Sequence, residues 1–399
     1  MSPQDPTGNP FDGIPFMGDV SRMFQGQGTM NWDAARQVAL SLATGGEAEA
    51  NVDPLTRIEY ESLVRIADLH VRNVTGLDTA VVGREPTILP VSPGVWAQRS
   101  LDAYRPLFEH LASALGKPAA ESPDDAVDPM SNMLAGLQGL MAPTMLGLSA
   151  GSMVGHLAQR AFGLYDLPIP RPASAELLVV SKAVDNFGTD WSLPRDDLRM
   201  WVCLHELTSH AVLSVPHVHL ALTELLRQFA ASFRPDPQAL TRSIESMVSP
   251  DPDNDSMADP QAMMAKVFGD PHALLGAVGT PEQERLAVQL DALVALVMGV
   301  IDHFVDLATT RIIGTGNAVC EAVRRRRLSV SPSDQLVERL VGLRLERTQL
   351  ARGQAFVDGV IERAGTDALA PLWLSAKQLP TPAELDAPGL WLARITLPD

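Results

Sequence analysis

Apolar residues recur three and four apart along most of this chain, the spacing of one face of an α-helix. In NWDAARQVALSLA, Trp32, Ala35, Val38 and Leu42 predict a first helix beginning at Asn31. Pro54 to Asn73 reads as a second, with Leu55, Ile58, Leu63, Ile66 and Leu69 on its apolar side. Next comes a short extended piece, ILPV, then a turn at Ser92 to Gly94, then helix through EHLASAL. Residues 117–129 form a polar, proline-containing break. Beyond it Gly147, Gly151 and Gly155 stand four apart in a helical segment. Glycine inside a helix costs about 1 kcal/mol relative to alanine, so a stripe of three predicts a close helix–helix approach. ELLVVSK, residues 176–182, is the best strand candidate.

A further helix is predicted from near Leu193-Pro194, with Asp196 and Asp197 in its first turn, where the helix dipole favours acids. Pro216 cannot continue it. Thr280-Pro-Glu-Gln supplies an N-cap, a proline at the first position and a capping-box Gln283, opening a long apolar helix through about Ala308. From Ser331 the pattern stays helical and closes in LPTPAELDAPGLWLARITLPD, a proline-punctuated tail with a short extended end. Residues 1–30 lack periodicity and read as a flexible tail, and the acidic stretch near 249–260 as a loop. The expectation is one mainly α domain over 31–399 with a small β element and no internal repeat.

Composition narrows the function classes. A formal charge of −17 argues against nucleic acid as a partner, because phosphate binding needs concentrated positive charge. The one basic cluster, Arg324 to Arg327, reads as the solvated end of a helix. Cys203 and Cys320, the only cysteines, make no dense disulfide pattern, and Cys203, in an apolar run, reads as a buried thiol. MSPQDPTGNPFDGIPF has no basic region followed by an apolar stretch, and no run of about 18 uninterrupted apolar residues exists, so neither a secretory signal nor a membrane span is expected. A cytoplasmic protein is the expectation.

The chemistry concentrates in WVCLHELTSHAVLSVPHVH, residues 201–219. His205 and Glu206 stand as in the H-E-x-x-H motif of zinc proteases, where two histidines four apart converge on one ion and the glutamate serves as general base. Here Ser209 holds the position of the second histidine, and a neutral hydroxyl is a poor zinc ligand. His210, one step on, lies about 140° around the helix from His205, so a regular helix cannot aim both rings at one ion. His217 and His219 follow Pro216 and read as surface or capping residues.

WVCLHELTSHAVLSVPHV resembles the central motif of an actinobacterial family of zincin-like proteins, zinc-dependent metallopeptidases or hydrolases, some linked by gene neighbourhood to coenzyme F420 biosynthesis. NWDAARQVA, VWAQRSLD, GSMVGHLAQRAFGLYDLPIP, LVALVMGVIDHFVD and the closing LPTPAELDAPGLWLAR resemble further family blocks in order. The resemblance implies a zinc held by two histidines of the central helix and a glutamate of a later helix. It matches His205 to the first ligand and Glu206 to the base. Ser209 stands at the second ligand and Met298 at the later glutamate, while Gly299, Asp302 and His303 match their neighbours.

Two of three implied ligands are therefore absent, whereas catalytic zinc takes three protein ligands and a water. The first reading is a zincin-like protein with zinc absent or weakly held, an inactive or weakened peptidase acting through a protein or peptide partner. The second is an active hydrolase recruiting His210, His217, His219, Asp302 or His303, with Asp302 one turn beyond Met298. The third is a helical scaffold.

Overall fold

The computed structural model describes residues 29–115, 129–233, 280–313, 316–328 and 332–396. The acidic loop at 249–260 and nearly all of the expected tail and polar break lie outside them. Met30 is already buried, so ordered packing begins before the expected end of the tail.

The described residues are mainly helical, with one two-stranded sheet among them. Helix α1 (Trp32–Thr44) starts on the side chain of Asn31, which accepts from Ala34 N at 3.0 Å. Helix α2 (Pro54–Thr75) starts on Asp53 and ends at Gly76, whose φ of 67° suits glycine. Strand β1 (Thr87–Val91) leads into α3 (Pro93–Leu115), and α4 (Pro129–Arg160) leads through a loop to β2 (Glu176–Val180). The strands pair in parallel, Thr87 with Glu176 through Val91 with Val180.

Helix α5 (Ser181–Asp190) precedes the motif helix α6 (Arg195–Leu213), and α7 (Pro216–Ala231) follows it. The long α8 (Pro281–Ile312) is capped by Thr280, which accepts from Gln283 N at 3.1 Å. Then come α9 (Gly316–Leu328), α10 (Pro332–Val341) and α11 (Arg347–Ala364). Two 3₁₀ turns, α12 (Pro382–Leu385) and α13 (Pro388–Thr396) close the described chain. The segment after Pro216 is a new helix, and the closing segment, where a short extended end was expected, is helical through Thr396.

The glycine stripe does what its spacing predicted. A Cβ on Gly151 would lie 2.4 Å from the Ala35 carbonyl oxygen, and one on Gly147 would lie 2.5 Å from that of Asn31. Helix α1 thus rests directly on α4 through Ala35, Ala39 and Ala43. Val38 and Leu42 are only half-buried there, because a glycine groove admits alanine and not larger side chains. Gly299 of α8 and Gly353 of α11 make an equally close crossing, and a Cβ on Gly299 would meet Gly353 backbone at 2.4 Å.

Helix α2 overturns its predicted face. Tyr60, Val64, Ala67 and Val71 are buried against the body, while Leu55, Ile58, Ile66 and Leu69 face outward and Leu63 is partly buried against the core. Helix α8 is long and apolar enough to cross a membrane, but 72% of its most apolar window is buried inside the protein, where it packs on α6 and α11. A single cluster of buried side chains runs from Met30 to Trp391.

Candidate active site

Every residue of α6 from Leu198 to Leu213 is buried, so His205 and Glu206 sit inside the protein rather than on a cleft wall. Glu206 is 0% exposed. Its carboxylate accepts from Leu164 N at 2.8 Å and Tyr165 N at 3.2 Å, within the loop between α4 and β2. That loop is stapled on several sides. Trp96 Nε1 donates to Gly163 O at 2.7 Å, Val180 N to Phe162 O at 2.8 Å, and Arg171 Nε to Leu164 O at 3.0 Å. A Cβ on Gly163 would lie 2.2 Å from Glu206 Cδ, so only glycine leaves room for the carboxylate here. Burial pushes the Glu206 carboxyl above its ordinary range, while its contact with His205 and the Leu164 N–H act the other way.

His205 lies between two partners. Its Nδ1 faces Glu206 Oε1 at 3.3 Å, and its Nε2 faces Arg327 Nη2 at 3.0 Å. An arginine only donates, so Nε2 is the acceptor, and Nδ1 carries the proton given to Glu206. The Trp201 ring stacks on the imidazole at a centroid distance of 5.1 Å and 16° between planes. Arg327 Nη1 donates to Asp302 Oδ1 at 2.6 Å, which joins α9 to α8 as well as to α6. Burial alone would lower the Arg327 pKa, but Asp302, helped by Asp166 and Asp306, outweighs it and raises the value. The guanidinium is therefore a permanent cation against the imidazole that the motif resemblance assigns to metal.

The other candidate residues are scattered. Ser209 is buried, and its Oγ has no hydrogen-bond partner. Met298 is 3% exposed within α8. His210 points to another side of α6, with Tyr165 Oη 3.0 Å from its Nδ1, and burial lowers its pKa while Thr79 backbone and Asp68 counteract. His217 Nε2 is 2.8 Å from Leu372 O, where it donates to that carbonyl. His219 is half-buried on α7. His303 packs on Phe304, and burial lowers its pKa against the pull of Asp358 and Asp306. Of the possible substitutes, Asp302 is linked to His205 through Arg327.

Zinc is the ion the motif implies, and these donors do not fit it. Zinc needs a nitrogen at about 2.0–2.1 Å with its lone pair free, whereas the His205 lone pair already accepts from a cation. Among the described residues no three His, Cys, Asp or Glu side chains are placed to share one ion. A surface hollow of about 300 Å³, lined by Asp185, Gly188, Ser192, Arg195 and Leu198 among others, contains none of the candidate site residues.

Two parts of this site were missed in the sequence. Arg326 and Arg327 do not form a solvated helix end. Arg326 packs over the Phe162 ring at 3.7 Å and contacts Asp166 at 3.4 Å, and Arg327 closes the motif. A signal existed, since the two arginines follow Val323 by three and four residues and so continue the buried face of Val319 and Val323. The carboxylate cage at 163–165 had no signal beyond its place in a family-like block.

A buried helix carrying His–Glu, packed on a second long helix that supplies an acid, defines a zincin-like architecture. The family model of zincin-like metallopeptidases matches residues 30–392, and the chain belongs to that family. A crystal structure of a candidate hydrolase with a novel fold from Chloroflexus aurantiacus shares the fold, with a TM-score of 0.59 and 20% identity over 93% of this chain and 100% of that one. No curated protein matches.

Ser209→Ala removes a buried hydroxyl that has no partner. Thermal unfolding should therefore stay within about 0.5 kcal/mol of wild type or shift slightly upward. A clear loss of stability would mean that the hydroxyl holds an interaction.

Proposed function

We propose that this protein is a non-catalytic member of the zincin-like family, in which a degenerate motif serves as a structural core and the protein acts through a protein or peptide partner. In this reading it is one of the actinobacterial members that its sequence blocks resemble, and it acts in the cytoplasm. The observation that carries the reading is the Arg327 guanidinium on His205 Nε2, with Asp302 as its counter-ion. A fixed positive charge at that nitrogen repels a divalent ion and consumes the lone pair a metal would need. Ser209 and Met298 add no imidazole or carboxylate to compete with it.

The remaining catalytic requirement is also unmet. A general base must reach a water that can attack substrate. Glu206 has no exposed surface, and its oxygens already serve two backbone N–H groups and an imidazole. A carboxylate held in this way fixes the loop against α6.

Element-resolved metal analysis of the purified full-length protein tests the reading. Zinc should be far below one per chain, and the value should not change in a His205→Ala variant. Stoichiometric zinc that disappears in that variant would overturn the proposal.

A further inference from the structure

We propose that Arg171, with Ser100 and Tyr104, forms a binding site for a small oxyanion, a carboxylate or a phosphate. The inference is independent of the state of the motif. Arg171 is 8% exposed, yet among the described residues it has no ion pair with a carboxylate. Arginines drawn inside a protein ordinarily meet an acid. Here Arg199 meets Asp185 and Glu59, Arg326 meets Asp166, and Arg327 meets Asp302. Arg171 instead lies over the Tyr104 ring, its Cζ 4.8 Å from the ring centroid, and gives its hydrogens to neutral acceptors.

Three bonds fix the guanidinium. Its Nε donates to Leu164 O at 3.0 Å, and its Nη2 donates to Ser100 Oγ at 3.2 Å and to Tyr104 Oη at 2.7 Å. Ser100 and Tyr104 stand four apart on one face of α3, which sets both hydroxyls against the same nitrogen. An arginine only donates, so each hydroxyl accepts here and keeps its own hydrogen to give. Neither hydroxyl hydrogen has an acceptor among the described residues, and neither does Nη1. Ser100 and Tyr104 are 0% and 2% exposed, whereas Nη1 is not sealed from solvent.

The cluster thus offers a cation and unspent N–H and O–H donors, and it lacks an acceptor. An oxyanion supplies what is missing, since bonds from a guanidinium to a carboxylate or phosphate oxygen are roughly twice as strong as neutral ones. Asp166 and Glu206, whose charges act on Tyr104, are committed elsewhere. Asp166 accepts from Phe162 N and Arg326, and Glu206 from Leu164 N, Tyr165 N and His205. Because the guanidinium is already held in place, binding costs it little side-chain freedom.

Isothermal titration of the full chain with sodium phosphate and, separately, with sodium acetate tests the site at constant ionic strength. Saturable binding with a Kd of about 1 mM is expected from one cation and its hydroxyls. Binding of phosphate alone, of acetate alone or of both supports the proposal and says which oxyanion fits. Arg171→Gln should abolish saturation. That change also removes the bond to Leu164 O, so a second variant, Tyr104→Phe, keeps the guanidinium and its hold on the loop. It should raise the Kd several-fold with far-UV circular dichroism unchanged, since one donor to the anion is lost. No saturable heat from either salt up to about 50 mM, or equal binding by wild type and either variant, would overturn the proposal.

Discussion

Restoring the two ligands alone, as Ser209→His with Met298→Glu, should fail to create a zinc site, whereas adding Arg327→Ala should create one. In the double variant the guanidinium still stands 3.0 Å from His205 Nε2, tied to Asp302 at 2.6 Å. A zinc ion would have to displace a cation from both partners. The triple variant frees the lone pair and leaves two imidazoles and one carboxylate, the ligand count of a catalytic zinc site. Isothermal titration should show zinc affinity in the triple variant at least about 100-fold above the double, a difference near 2.7 kcal/mol. Equal binding by both would mean that Arg327 moves aside without cost, and would remove the main support for a closed site.

Arg327→Ala by itself should destabilise the protein. It leaves the His205 nitrogen without a donor and Asp302 without its cation, and it removes one side-chain link of α9 to α6 and to α8. Because the Asp302 side chain is 27% exposed, water recovers part of the loss, and about 2 kcal/mol is expected from chemical denaturation. An unchanged midpoint would place the arginine on the surface after all.

The second large effect concerns the cage around Glu206. Glu206→Ala should cost about 3–5 kcal/mol, because the Leu164 and Tyr165 N–H groups lose their acceptor in a buried loop and a cavity opens beside them. Gly163→Ala should destabilise by a comparable route, since its Cβ would fall 2.2 Å from Glu206 Cδ and force the carboxylate off its donors. The two changes should not add. Once the carboxyl is gone the new methyl has room, so the double variant should unfold close to Glu206→Ala alone. Additive costs, or a Glu206→Ala protein as stable as wild type, would argue that the carboxylate is not the loop's anchor. A catalytic base would behave differently, with stability preserved and only activity lost.

Much of the architecture was legible in the chain. The helix start at Asn31, the cap at Thr280, the stop at Pro216, the strand at ELLVV and a close helix approach at the glycine stripe follow from local rules. Those rules depend on residues within a few positions of one another, as with the cap bond from Thr280 to Gln283 N at 3.1 Å. The mainly α class and the serine four residues after His205 were equally plain.

Tertiary structure decided what those rules do not reach. Leu55, Ile58, Ile66 and Leu69 look like the inward face of α2, because periodicity identifies an apolar stripe without saying what lies opposite it. The body of the protein instead takes Tyr60, Val64, Ala67 and Val71. The four arginines at 324–327 look solvated because charge alone favours water. Packing α9 against α6 brings Arg327 to a histidine 122 positions earlier, where an acid on α8 makes burial of the guanidinium tolerable. Local sequence thus determined the helices and the His205–Glu206 pair, while the fold decided which charge stands against it, since long-range pairing of buried charges leaves no periodic trace in a chain.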